Sequence, residues 1–190
     1  MRTCDAPLSD EALLSYWLCE TSTDETDQIE AHLFDCAECS ARLERTVSLG
    51  MGLKALVLQG RVSGIVSRTL LNRLQRDGLN IRLYSLAPGD IVPCTIFPGD
   101  DLVAASLHAD FSGVRSVSLM VTGPDNSTLG TFDDVPVSGG DAELVWAPPT
   151  ALVRRFPSMR LRLTLTSADQ DRAVLGEYVL DHSAFDPDSE

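Results

Sequence analysis

The chain has 190 residues, 44% of them hydrophobic and 23% charged, with a net charge of −13 at pH 7. That length suits one domain, or a small module joined to a domain of about 100 residues, and the composition is ordinary for a globular protein. The acidic balance repels phosphate, so no direct nucleic-acid contact is expected and a basic protein partner fits better.

The charge is uneven. Residues 1–45 carry eleven acidic side chains against three basic, residues 46–80 one against five, and the remainder sixteen against seven. No apolar run reaches the roughly 18 residues of a membrane span, and no charged start precedes an apolar signal core. A cytoplasmic chain with no membrane partner is therefore expected. Five cysteines is an odd number. In that compartment, clustered Cys with a His points to metal or redox chemistry more than to structural disulfides.

Residues Leu8 to Leu18 predict a short helix, capped by Ser9 or Asp10 and striped by Leu13, Leu14, Trp17 and Leu18. Ser22 followed by Glu25 is a capping-box pattern that opens a second helix over about residues 24–34. A third helix is expected to begin near Ser40, turning Leu43 and Val47 inward. Residues 50–77 have helical composition, but their apolar side chains cover too much of the circumference for one stripe. Gly50, Gly52, Gly60 and Gly64 interrupt them, each at a cost of about 1 kcal/mol relative to Ala. The segment therefore needs something to pack against, and Asp77-Gly78 ends it. With Lys54, Arg61, Arg68, Arg73 and Arg76 it reads either as a partner-binding helix or as a connector with a solvated basic face.

From Leu79 the period changes to two. Val103, Ala105 and Leu107 alternate, as do Val117, Leu119 and Val121, and Met159, Leu161, Leu163 and Leu165. Turn signals at Pro88-Gly89, Pro98-Gly99, Gly123-Pro124, Gly139-Gly140 and Pro148-Pro149 divide these runs into about seven or eight strands. The expected fold is α+β: a small N-terminal zinc-binding helical module (1–48), a connecting or partner-binding helix (49–78), a C-terminal antiparallel β-sandwich (79–185) and a disordered tail (186–190).

The chemistry concentrates at His32, Cys36 and Cys39, an imidazole and two thiols at offsets of four and three. Zinc favours N/S donors and closes structural sites with four. Cys4 or Cys19 could be the fourth. With the first two helices antiparallel, Cys4 lies beside the end of the second, whereas Cys19 is displaced by roughly 16 Å at 1.5 Å per residue. The expected ligands are Cys4, His32, Cys36 and Cys39, with Zn2+ as cofactor.

Residues 8–45, with His-Leu-Phe-Asp-Cys-Ala-Glu-Cys at their centre, resemble the zinc-binding anti-sigma factor domain, a putative zinc finger of HxxxCxxC pattern. The resemblance implies a transcription regulator that sequesters an extracytoplasmic-function sigma factor and, in some members, releases it when its thiols are oxidised. Pro7 stands where that family commonly has a His, and Cys19 where it often has Gly. The alternative reading is a zinc-stabilised adaptor whose sandwich binds another protein or a small ligand, with no sigma partner. No nucleophile elbow, phosphate loop or paired catalytic set is present, so no enzyme is expected. His108, His182, Cys94, Trp146 and Phe132 are expected to be structural, and Asp100-Asp101 and Asp133-Asp134 turn charges.

Overall fold

The structure is a computed structural model and describes residues 4, 6–61, 63–137, 142–169 and 173–188. Three helices, α1 (Asp10–Leu18), α2 (Thr23–Asp35) and α3 (Ala37–Leu58), lead into a short strand β1 (Gly64–Val66) and helix α4 (Arg68–Arg76). Eight strands follow: β2 (Ile81–Leu86), β3 (Ile91–Cys94), β4 (Leu102–His108), β5 (Ser116–Thr122), β6 (Thr128–Pro136), β7 (Glu143–Ala147), β8 (Met159–Ser167) and β9 (Val174–His182). A one-turn helix, α5 (Thr150–Val153), separates β7 from β8. The fold is α+β, and no helix among the described residues is long and apolar enough to cross a membrane.

Local signals account for the helix starts. The Ser9 side chain accepts from the Ala12 N–H and begins α1. Ser22 and Glu25 form the full capping box at α2, satisfying two otherwise orphaned N–H groups. Ser67 caps α4 through the Leu70 N–H.

The strands form two sheets, β1-β7-β4-β2 and β3-β9-β8-β5-β6. They face each other across a core that includes Leu107, Trp146, Leu119, Leu163, Leu165 and Tyr178. The expectation of a purely antiparallel sandwich needs correction. β2 pairs with β4, and β3 with β9, in parallel. β3 belongs to the opposite sheet, so the chain leaves after β2 and returns for β4 in the same direction, the crossover that a parallel pair requires. Side-chain alternation is the same in either direction and carries no sign of it.

The 50–77 segment is not one helix. α3 stops at Leu58, and Gly60 takes φ +62°, the left-handed conformation. The chain then pairs β1 against β7, Ile65 opposite Trp146, before α4 begins. Val57, Leu71 and Leu74 pack on Leu102, Ala104, Val145 and Ala147, making a second core on the outer face of the four-stranded sheet. Leu102 to Leu107 are consequently all buried, and β4 lacks the exposed face expected of an alternating strand. β8 keeps its alternation, with Leu161, Leu163 and Leu165 buried.

α4 also ties the N-terminal helices to the sandwich. Arg73 donates to the Trp17 carbonyl (3.1 Å) and Arg76 to the Leu18 carbonyl (3.2 Å), serving the free carbonyls at the end of α1. The Arg73 guanidinium also lies over the Trp17 ring, 5.5 Å from its centroid. Gly50 gives that ring its seat, since a Cβ there would stand 2.3 Å from it. The expected Gly139-Gly140 turn and the last two residues of the 186–190 tail lie outside the described residues.

Candidate metal centre

His32 sits in the last turn of α2, and Cys36 is both the residue that ends α2 and the one that precedes α3. Its backbone is extended (φ −118°, ψ 99°), which turns the chain between the two helices. The Cys36 N–H donates to the His32 carbonyl (2.9 Å), and the Ser40 N–H to the Cys36 carbonyl (3.0 Å). The Ser40 hydroxyl donates to the Leu33 carbonyl (2.7 Å) and holds the corner closed. α3 begins at Ala37, three residues before the expected start, so Cys39 lies in its first turn, wholly buried.

Cys4 arrives from the other end of the module. Arg42 on α3 donates to the Leu8 carbonyl (2.6 Å) and pairs with Asp10 (2.5 Å), and the Cys4 N–H donates to Glu38 (3.2 Å). These contacts lay the N-terminal arm across the α2–α3 corner. The ligand atoms of Cys4, His32, Cys36 and Cys39 all lie within 4.8 Å of one another. His32 Nε2 is 3.5 Å from Cys4 Sγ and 3.3 Å from Cys39 Sγ. A tetrahedron with metal–ligand bonds of about 2.3 Å has edges of about 3.8 Å, so the cluster matches in size and donor type what a tetrahedral thiolate–imidazole site needs. Among the described residues no other group of Cys, His, Asp and Glu converges in this way.

The thiols differ. Desolvation, reinforced by the neighbouring Cys36 and Cys39, pushes Cys4 up to about 11. The Cys39 backbone N–H, helped by hydrogen bonds from Cys4, Cys39 and His32, brings Cys36 down to about 7. A bound cation would replace the shared protons that hold these donors together.

Cys19 is not in the cluster. It ends α1 in the left-handed conformation (φ 61°), exposed, with its Sγ 3.7 Å from an Arg73 nitrogen. Sequence reasoning missed Glu38, Ser40 and Arg42 as the residues that position the site. One signal was available for Arg42: it is the single basic residue between Arg2 and Arg45 in an acidic segment.

The remaining candidates sit elsewhere. The His108 ring hydrogen-bonds Ser85 Oγ (2.7 Å), and His182 is buried with Nδ1 3.8 Å from Cys94 Sγ. Trp146 is buried and Phe132 packs on the main core. Asp100 is not an exposed turn charge. It is buried and accepts from Arg82 (2.6 Å), the Arg82 guanidinium lying over Phe97. Asp133 and Asp134 belong to β6 rather than to a turn. Between α1 and α2 an open groove of about 560 Å³ is lined by Glu11, Glu20, Glu25 and Gln28, with Ile29 at its floor. In comparison with known proteins, the chain matches no family model and no curated protein.

Proposed function

We propose that the chain is a zinc-binding anti-sigma-like transcription regulator whose helical module sequesters a sigma factor of the extracytoplasmic-function group. The observation that carries this reading is the convergence of Cys4 with His32, Cys36 and Cys39 in a three-helix acidic module of the HxxxCxxC pattern. Three sulfurs and one imidazole nitrogen suit zinc, which prefers N/S donors in a closed four-ligand site. When bound, zinc supplies a cross-link between the N-terminal arm and the α2–α3 corner, worth about 10–16 kcal/mol of apparent binding free energy in small zinc peptides.

The module's own residues do the rest. Leu13, Leu18, Ile29 and Cys39 are its few buried apolar side chains, too small a core to hold three helices in register without that cross-link. The acidic groove between α1 and α2 presents Glu11, Glu20 and Glu25 to a basic partner. Occupation of the partner's polymerase-binding face by these helices would block transcription sterically. The three clustered thiols also support redox control. Two of them can give up two electrons and two protons to a peroxide, forming a disulfide and water and removing two donors.

The test is to mix the purified chain with extracytoplasmic-function sigma factors of its source organism and measure association by calorimetry and sizing. The expected result is a one-to-one complex that weakens as salt rises and is lost on chelation. No complex with any of them would overturn the reading, leaving the zinc-stabilised adaptor.

A further inference from the structure

We propose that Ser85 is an acylation site, a hydroxyl activated by His108 to take an acyl group from a small activated donor such as an aryl ester or a thioester. The two residues stand 23 positions apart and share no motif, so only the sheet brings them together. β2 is an edge strand and runs parallel to β4, with Ser85 opposite Ser106. Tyr84 and Leu86 pack in the main core, so by alternation Ser85 stands on the outer face, with Ser106 and His108. Earlier in both strands that face is apolar, where Ile81, Leu83, Leu102 and Ala104 pack with Leu71 and Leu74 of α4. At the far end of the strands it turns polar, and Ser85 is exposed there.

The hydrogen bonds set the roles. His108 Nδ1 is 3.2 Å from the Ala142 carbonyl oxygen, which can only accept, so Nδ1 carries the imidazole proton. Nε2 keeps its lone pair and accepts from the Ser85 hydroxyl at 2.7 Å. A nucleophile is thus held by a base that a third group orients. Both residues sit on fixed backbone. From the opposite sheet the buried Tyr178 hydroxyl donates to the His108 carbonyl (2.7 Å). Beside Ser85, the Tyr84 hydroxyl donates to the Thr95 carbonyl (2.7 Å) and accepts from the Thr95 N–H (2.9 Å). Glu143, which Arg68 holds, is the cross-strand partner of His108 and faces the imidazolium that forms when His108 takes a proton.

In the step itself the Ser85 oxygen bonds to the acyl carbon while its proton passes to His108 Nε2. The bond from the acyl carbon to the leaving oxygen or sulfur breaks, and the leaving group departs with the electron pair and takes that proton. The products are an O-acyl serine and a free phenol or thiol. At this open strand edge the charge developing on the carbonyl oxygen meets solvent, so only donors with a good leaving group react. The site stands apart from the metal centre and does not depend on the sigma-factor reading.

The experiment exposes the purified chain to para-nitrophenyl acetate, quenches it with acid at intervals and maps the acetylated residues by peptide mass spectrometry. Ser48 is the internal reference, an exposed serine whose hydroxyl donates to the Glu44 carbonyl and has no base beside it. Ser85 is expected to acetylate about a hundredfold faster than Ser48, within the range of general-base assistance. His108→Gln keeps a hydrogen-bonding side chain without the base and should bring Ser85 down to the Ser48 rate, with an unchanged circular dichroism spectrum. Acetylation of Ser85 no faster than that of Ser48 overturns the site, as does an unchanged Ser85 rate in His108→Gln. The comparison of Ser85 with Ser48 in the wild-type chain needs no variant, so it decides the matter even where His108→Gln fails to fold.

Discussion

Cys4 shows how far one atom can be responsible for a site. It is the member of the Cys/His cluster most distant in sequence from the others, and Glu38 and Arg42 hold its arm in place. Cys4→Ser is expected to remove metal from the purified chain, while Cys19→Ser retains about one equivalent, because Cys19 faces Arg73 at the other end of α1. Elemental analysis of both variants against wild type checks this. A second residue-scale case is Glu143, which accepts from both Arg68 and Ser106. The Arg68 hydrogen bond, ahead of the Ser106 one, holds the Glu143 carboxyl below its ordinary range. A depressed carboxylate stabilises the fold above its unfolded pKa, and that contribution disappears as pH falls through the folded value. Arg68 is partly exposed, so screening reduces the effect. Glu143→Gln should cost about 1–2 kcal/mol at pH 7, and the cost should shrink as pH falls below the ordinary carboxylate range, read from urea denaturation at a series of pH values across it.

At the scale of elements, the turn after α3 decides how the helical segment meets the sandwich. Gly60 has φ +62°, and a Cβ there would stand 2.7 Å from the Ala151 backbone nitrogen, which cannot swing aside. Gly60→Ala should therefore destabilise by about 2–3 kcal/mol, through left-handed strain and loss of the Gly60–Ala151 hydrogen bond. Gly64→Ala, where an added Cβ meets nothing within 4 Å, should change stability by less than about 0.5 kcal/mol. Comparing the two in denaturant separates the conformational requirement from a general intolerance of substitution. Four glycines in residues 50–77 were visible in the sequence as helix-weakening residues. Which one breaks the helix, and that Gly50 instead seats Trp17, depended on partners far along the chain.

The whole molecule has separate apolar clusters. The main one lies between the sheets and a second under α4, while the N-terminal helices have only a few buried side chains of their own. On the proposed reading, in which a metal ion cross-links the Cys4, His32, Cys36 and Cys39 cluster, a strong chelator should raise amide hydrogen exchange by an order of magnitude or more in α1, α2 and the first turns of α3. Protection of β5, β8 and β9, the centre of the five-stranded sheet, should persist. Mass-spectrometric exchange with and without chelator reads both regions in one experiment, and simultaneous loss of protection in both would sink this division. The Arg73 and Arg76 contacts to the end of α1 should open with the module, since they are few and partly exposed.

Local chemistry determined much of this protein without help. The Ser22–Glu25 capping box, the His32, Cys36 and Cys39 spacing and the alternation of β8 depend on neighbours a few residues away, and the sequence carries such neighbours in plain order. The tertiary structure alone decided the parallel pairings of β2 and β3, the burial of both faces of β4 beneath α4, and the strand β1 inside a helical-looking segment. It also decided that the Trp146 Nε1 and His182 Nε2 atoms would be buried without a hydrogen-bond partner. These features arise from contacts between distant segments, where the free energy depends on which surfaces meet, and hydrophobic periodicity reports that a face is buried without naming what buries it.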